Sequence, residues 1–503
     1  MAMVLRLAIG DQVAVALRPI PKGTDLRPDF PVVAASDIPA GHKIALESVE
    51  EGAQVRRFGQ PIGLASQPIE AGQHVHEHNL AYPGTLAQRN IVTRPRVQPK
   101  NDVATFQGYR RPNGKAATRN YIGVLTTVNC SARAAKLIAA HFSEDVLKQY
   151  PWIDGVMALT HTSGCSISDG TPSMDMLRRT LAGYAEHPNF VGVLIVGLGC
   201  EDNQIDRLSK ATGLELGPKL RSLTIQDIGG TGATVSAGVA QVYEMIMLAA
   251  DVRREPIPVS ELIIGLQCGG SDSFSGLTAN PSLGAAVDIL VSQGGTAILS
   301  ETPEIYGAEN LLLQRVASED VGNKLIDLLT WWDGYTSKEP HGFDHNASPG
   351  NRAGGLTTIL EKSLGAIAKA GSTPVNAVYS YAEPVCDRGL VFMDSPGFDP
   401  ISVTGQVASG ANLIVFTTGR GSCFGCRPSP SLKLATNTPM YERMKDDMDV
   451  NCGVIIEGKS SVSEMGEMIF DRIIRTASGE KTASEKLGYG DDEFAPWHIN
   501  AWT

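Results

Sequence analysis

Hydrophobic and polar positions follow three regimes along the chain. Up to about residue 82, short alternating runs such as VAVALRPIPKGTDL, DIPAGHKIAL and EEGAQVRRFGQPIGLASQPIEAGQHVHEHN are broken repeatedly by Pro and Gly. Short strands with turn signals at roughly eight- to twelve-residue intervals predict a small all-β module over 1–82. Residues 83–105, PGTLAQRNIVTRPRVQPKNDVAT, hold no sustained period and predict a linker. From 106 onward, continuous apolar runs alternate with helix-like stretches such as SARAAKLIAAHF and VAQVYEMIMLAADV. Runs apolar on both faces predict parallel strands covered by helices. The pattern divides into one α/β domain over 106–255 and a second over 256–503, with a mainly parallel sheet.

Four of the apolar runs end alike. YIGVLTTVNC ends at Cys130, DGVMALTHTSGC at Cys165 and FVGVLIVGLGC at Cys200, while ELIIGLQCGG carries Cys268. Open parallel sheets bind ligands at the carboxyl ends of their strands. Thiolates are soft ligands, so these four are read as holders of a metal ion or cluster, against the alternative of ordinary buried cysteines. His161, Glu201 and Asp272 stand beside them as acid/base candidates, with Asp202 and Asn203 next to Glu201. Ser348, Asn351 and Arg352 in SPGNR, with Lys362 and Arg420, are candidates for receiving a carboxylate. TTGRGSCFGCRP, with Cys423 and Cys426, is either a redox pair or an anion-binding loop. The glycine-rich turns at 197–199 and 268–276 lack GxGxxG with a following acid, which argues against a nicotinamide site. In HVHEHN, strand periodicity places His74, His76 and His78 on one face, open to a metal, a substrate or plain solvation.

Charge narrows the function classes. With 54 acidic against 43 basic residues, the net charge is -11. No basic face for nucleic acid or a membrane surface is evident. No run of about eighteen apolar residues occurs, and Asp11 interrupts the N-terminal run before a signal-peptide core forms. A cytoplasmic protein with its eight cysteines reduced is expected.

GHKIAL (41–46), FGQPIG (58–63), YRRPNGKAATRN (109–120), HTSGCS (161–166), IVGLGCEDNQ (195–204), LQCGGSDSFSGLTANP (266–281), SPGNRAGGLTT (348–358), EKSLG (361–365), TTGRG (417–421) and KLATNT (433–438) occur in this order. On these motifs the chain resembles the altronate/galactarate dehydratase family over nearly its whole length. HVHEHN and PEIYGAENLL (303–312) are similar to the altronate branch. SCFGC (422–426) departs from the family's better-known members, which carry Thr-Pro-Tyr-Gly after GRG.

The resemblance implies a SAF domain of the β-clip type, a second dehydratase domain and a Rossmann-like variant C-terminal domain without a nucleotide. It also implies a homodimer. The implied activity is loss of water from a sugar acid, most closely D-altronate, giving 2-keto-3-deoxy-D-gluconate. Galactarate dehydration, a sulfolactate sulfo-lyase and a non-catalytic sugar-acid sensor are the alternatives. The implied cofactor is Fe2+, as a single ion or in an iron-sulfur cluster, with Mn2+ or another divalent cation as the substitute. In this reading Cys130, Cys165, Cys200 and Cys268 bind metal, and His161, Glu201, Asp272 and Lys362 handle protons. His74, His76, His78, Arg119, Ser348, Asn351, Arg352 and Arg420 bind substrate.

Overall fold

The computed structural model describes residues 2–27, 29–84, 89–337 and 342–499. The N-terminal region folds into two small antiparallel sheets. One joins Val4–Leu5, Val13–Ala16, Lys43–Ala45 and His74–Val75, and the other joins Gln54–Arg57, Gln60–Ala65 and Leu80–Ala81. The alternation seen in the sequence is what buries Val13, Ala45, Val55, Ile62 and Val75 together on the inner side.

The connection that follows is no loose tether. Val92 and Arg94 donate backbone hydrogen bonds to Leu313 and Val316, at 2.9 and 2.8 Å, and Lys100 donates to Ser292 at 2.9 Å. Arg89 adds ion pairs to Glu309 and Asp333. The prolines in this tract prevent a continuous ladder, yet the backbone is docked along the C-terminal body.

The second region holds a four-stranded parallel sheet of β1 (Tyr121–Thr126), β2 (Gly155–Leu159), β3 (Phe190–Gly197) and β4 (Leu220–Thr224), in the order β2-β1-β3-β4. Every residue of β1 is buried, as a strand covered on both faces requires. Helix α1 (Pro172–Ala185) follows β2, capped at its start by the Thr171 side chain. The C-terminal region is built on a seven-stranded parallel sheet: β5 (Ile263–Cys268), β6 (Thr296–Leu299), β7 (Val375–Tyr379), β8 (Gly389–Met393), β9 (Leu413–Thr418), β10 (Ser431–Ala435) and β11 (Val450–Asn451). Its spatial order is β7-β8-β6-β5-β9-β10-β11. Chain direction across the sheet reverses at β5, beside β9. That switch point opens a crevice outside the carboxyl ends of these two strands.

Three helices of this region matter below: α2 (Ile359–Ile367), α3 (Asp399–Ala408) and α4 (Thr438–Arg443). The two α/β bodies share one core, in which Leu159, Leu181 and Phe190 meet Leu266, Val407 and Phe416. Helices α1 and α3 run side by side, and Gly183 lies so close to Ala408 that a Cβ would strike its carbonyl. Both helices start at the carboxyl ends of strands and meet at their own C-terminal ends. The ligand-binding edges of the two sheets therefore face the same way.

Candidate active site

At the switch point the β5 loop, Gly269 to Ser275, meets the β9 loop, Gly419 to Gly421. Asp272 is buried there, with 4% exposure. Its carboxylate accepts from Ser275 N at 2.9 Å, Thr436 Oγ1 at 3.0 Å and Asn437 Nδ2 at 3.0 Å. Among the described residues no cation pairs with it. Burial raises its pKa above the ordinary aspartate value against the pull of these neutral donors. Only glycine fits at 419, because a Cβ would strike the Asp272 carboxyl. A cavity of about 360 Å³ opens over Asp272, walled by Arg420, Asn437, Arg443 of α4 and, from the N-terminal domain, Leu17 and Ala40. Among the described residues neither the Arg420 nor the Arg443 side chain has a hydrogen-bond or ion-pair partner.

The N-terminal domain closes this edge through a buried charge network. Lys43 Nζ lies 2.9 Å from Glu361 on α2 and 2.7 Å from the Gly355 carbonyl. Arg57 pairs with the same carboxylate and donates to Ser273 O at 2.9 Å. Burial alone would raise the Glu361 pKa, but Lys43 and Arg57 outweigh it and hold it at about 2. His74, His76 and His78 gather here with a fourth histidine, His42. Ring centroids lie 4.8 to 5.4 Å apart, and His42 Nδ1 is 2.9 Å from His74 Nε2. HVHEHN is not a regular strand. Pairing ends at Val75, because the Asn79 side chain bonds His76 N and the His74 carbonyl and turns the chain. The three rings still share one side through that turn. Burial, then neighbouring positive charge, lowers His74 to about 3 and His76 to about 4, so both are neutral at physiological pH. Among the described residues only Cys268, Glu301 and Glu304 bring three metal-ligating atoms within 4.8 Å of one another, so the imidazole nitrogens do not converge on one ion.

Three of the four strand-end cysteines form a group. Cys130, Cys165 and Cys200 are exposed, on loops leaving the adjacent strands β1, β2 and β3. Cross-bonds weld these loops together: Asn129 N to Ser163 O, Asn203 N to Gly164 O and Ser166 N to Asp202 Oδ2, at 3.0, 3.1 and 2.6 Å. Gly164 has φ +102° and backs onto the Thr127 carbonyl, where a side chain has no room. Gln226 donates to Cys200 Sγ at 3.5 Å.

Family models match residues 2–83 as the altronate/galactarate dehydratase SAF domain, 108–250 as the D-galactarate dehydratase/altronate hydrolase second domain and 259–502 as the D-galactarate/altronate dehydratase C-terminal domain. The altronate dehydratase of Bacillus subtilis strain 168 is 39% identical over 484 residues, covering 95% of both chains. That of Escherichia coli K12 is 35% identical, again over 95% of both. The chain belongs to the altronate/galactarate dehydratase family. A galactarate dehydratase of Escherichia coli K12 is 37% identical over 90% of this chain and 88% of its own.

Within this dehydratase framework several side chains read from sequence have other duties. Cys268 does not join the exposed trio. It lies buried on another sheet, 2.9 Å from Lys369 Nζ and 3.2 Å from Glu304, and burial pushes its thiol up. His161 spends both ring nitrogens locally, on the Thr126 carbonyl at 2.9 Å and Ser163 N at 3.2 Å. Burial lowers its pKa to about 4. Glu201 accepts from Thr127, Leu198 N and Gly199 N. Both residues brace the cysteine loops. Arg119 is sealed against Glu485 and three backbone carbonyls, well inside the protein, because five N–H groups need five acceptors when buried. Ser348 and Asn351 cap a short helix on each other, and Asn351 also holds the Ser271 carbonyl. Arg352 bridges Glu77 and Asp344.

Lys362 is bound to Glu304 at 2.6 Å and to Asn346. It belongs to a buried network with Cys268, Lys369, Glu301 and Glu304, which sequence reading missed apart from Cys268 and Lys362 themselves. Glu301 adopts φ +70°, a strained value for a non-glycine residue. Burial, then Glu304, pushes its carboxyl well above the ordinary value, whereas Lys362 and Lys369 overcome burial and bring Glu304 down. His42 and Lys43 also went unassigned, although both lie inside the quoted motif GHKIAL. Arg443 carried no local signal at all.

Proposed function

We propose that the chain dehydrates a six-carbon aldonate, D-altronate, to 2-keto-3-deoxy-D-gluconate. The observation that carries this reading is a buried carboxyl, Asp272, that pairs with no cation among the described residues and faces a cavity with two arginines unpaired among those residues, at the switch point. Arg420 receives the substrate carboxylate and, through it, the charge that develops as the C2 proton leaves. Asp272 takes that proton; its raised pKa makes it a stronger base than an ordinary aspartate. The protonated carboxyl then supplies the proton with which the C3 hydroxyl departs as water. The resulting enol takes a proton at C3, releases the proton of its C2 hydroxyl and becomes the 2-keto acid. Asn437 holds the Asp272 carboxylate in place during these steps. The names of the relatives support altronate first and galactarate second.

The resemblance implies iron, and the two thiol-bearing groups differ in how they suit it. At Cys268 the ammonium of Lys369 already sits within 3.1 Å of both the sulfur and Glu301, so the positive charge is in place. Among the described residues Cys130, Cys165 and Cys200 make no contact with a cation, are open to solvent and do not all lie within 4.8 Å of one another. That donor set suits an iron-sulfur cluster, whose irons stand apart, better than a single ion. When bound, a cluster held by three thiolates supplies an iron open to oxygen ligands and hence Lewis-acid chemistry. A cytoplasmic setting, which keeps the eight cysteines reduced, belongs to the same proposal. A homodimer remains part of the proposal.

Purified, reduced protein given ferrous iron should release keto acid from altronate faster than from galactarate, and not release sulfite from sulfolactate. Asp272→Asn should lower kcat by about a hundredfold or more with little change in KM. An unchanged kcat would remove Asp272 from the mechanism.

A further inference from the structure

The buried network around Cys268 takes no part in the proton transfers at Asp272, yet it brings a thiol and an amine into direct contact. Cys268 ends strand β5, and Lys369 stands in the short helical turn Ala368–Ala370 that follows α2. Sγ and Nζ lie 2.9 Å apart, so no atom separates them. Exposure is 2% at Cys268 and 0% at Lys369. Among the described residues no other cysteine sulfur contacts a lysine.

Both partners are held in place. Glu301 Oε2 accepts from Lys369 at 3.1 Å, and Glu304 Oε2 accepts from the Cys268 thiol at 3.2 Å. Gly284 packs so tightly on the Ala368 carbonyl that a Cβ has no room, which fixes the backbone beside Lys369. Two reacting atoms confined at contact distance gain the advantage of an intramolecular reaction. At rest the pair is inert, because burial pushes the thiol up and the neighbouring groups outweigh burial to keep the amine an ammonium. The two carboxyls offer the way out of that state. Glu301 Oε1 is buried with no partner among the described residues, so the carboxyl beside the ammonium still has an oxygen open to a proton. A pocket this closed excludes bulky thiols, but dioxygen is small and apolar enough to enter it.

We infer that Cys268 and Lys369 form a reversible covalent cross-link through a single oxygen atom, an N–O–S bridge, with dioxygen as the oxidant. Two N–H bonds and the S–H bond break, and N–O and O–S bonds form. Sulfur and nitrogen lose two electrons each, and dioxygen accepts all four: one of its atoms becomes the bridge and the other leaves as water. Of the three ammonium protons one stays on nitrogen, one passes to Glu301 and one joins the thiol proton in that water. A dithiol reductant returns the electrons and restores thiol and amine, the bridging atom leaving as water. The bridge removes the Lys369 charge, so Glu301 and Glu304 keep Lys362 as their cation. It also ties β5 to the segment after α2 at the residue before Gly269, where the loop carrying Asp272 begins.

The test uses full-length enzyme purified without oxygen and divided in two, one half exposed to isotopically heavy dioxygen. Both halves are digested without reductant and mapped by mass spectrometry. A linked pair of peptides holding Cys268 and Lys369 is expected in the exposed half alone, heavier than their sum by one heavy oxygen less two hydrogens. Dithiothreitol should separate the pair. Exposed cysteines such as Cys386 and Cys423 should instead follow the ordinary path to disulfides and sulfur acids. Lys369→Arg should yield no linked pair, but the parent enzyme decides the matter even if that variant misfolds. In the parent, Cys268 recovered as a free thiol, or as a sulfur acid with Lys369 unmodified, overturns the proposal. A linked pair carrying only light oxygen does the same. Because the readout is mass rather than turnover, the outcome does not depend on which sugar acid is dehydrated.

Discussion

Asp272 and Cys165 carry opposite kinds of evidence. Asp272 is buried with its oxygens held by neutral donors, and charging it in that setting is costly; that cost is what gives a carboxylate useful basicity. A base must be ionised, so kcat/KM should rise with pH through its raised pKa, and the acid limb should lie above that of an ordinary aspartate. A pH-rate profile on the reduced enzyme measures this; an acid limb at the usual aspartate position would point to another base. Cys165 is exposed, and Ser166 after it holds φ +60°, strain that the surrounding loops must compensate. Cys165→Ser should abolish both iron binding and turnover. Elemental analysis measures the iron, an unchanged circular-dichroism spectrum and melting of the variant separate ligand loss from simple unfolding, and retained iron would sink the assignment.

At the scale of elements, the alternation of apolar runs and helices was readable because parallel strands buried on both faces leave a strong local pattern. The repeated strand-end cysteines followed from it, since a carboxyl-end position needs only the strand's boundary. What the loops do with their polar residues was not readable. His161 and Glu201 sit beside cysteines in sequence and invite an acid/base role, but the loops lack regular pairing and consume those side chains as their missing hydrogen-bond partners. His161→Asn should therefore lower iron occupancy and stability, by about 1 to 3 kcal/mol for the lost buried bonds. The pH dependence of whatever activity remains should match the parent enzyme. Loss of one limb of the pH-rate profile would restore His161 as a proton carrier.

The whole molecule depends on contacts that no local pattern encodes. Lys43 and Glu361 are 318 residues apart, and each reads as a surface charge within its own segment. Together with Arg57 they form the buried joint between the N-terminal domain and the C-terminal body, and the histidine quartet lies beside it. A self-contained module on a flexible tether would lose little stability on deletion of residues 1–82. The observed joint predicts instead that deletion strips a buried carboxylate of both its partners and damages folding as well as turnover.

A single substitution probes that joint more cleanly. Glu361→Gln leaves two buried cations without a counter-charge and should cost about 3 to 5 kcal/mol. The Glu361 carboxyl is held at about 2, below its ordinary value of 4.5. Its contribution to stability is therefore complete above about pH 5 and declines as pH falls from 4.5 toward 2. In the parent enzyme, denaturant unfolding should weaken through that window. In Glu361→Gln the decline should be shallower, and protease should reach the tract 89–105 at neutral pH because the domain it follows is no longer held. Equal stability of the two proteins at pH 7 would show that the joint contributes no net free energy, and that shape complementarity alone seats the N-terminal domain over the cavity.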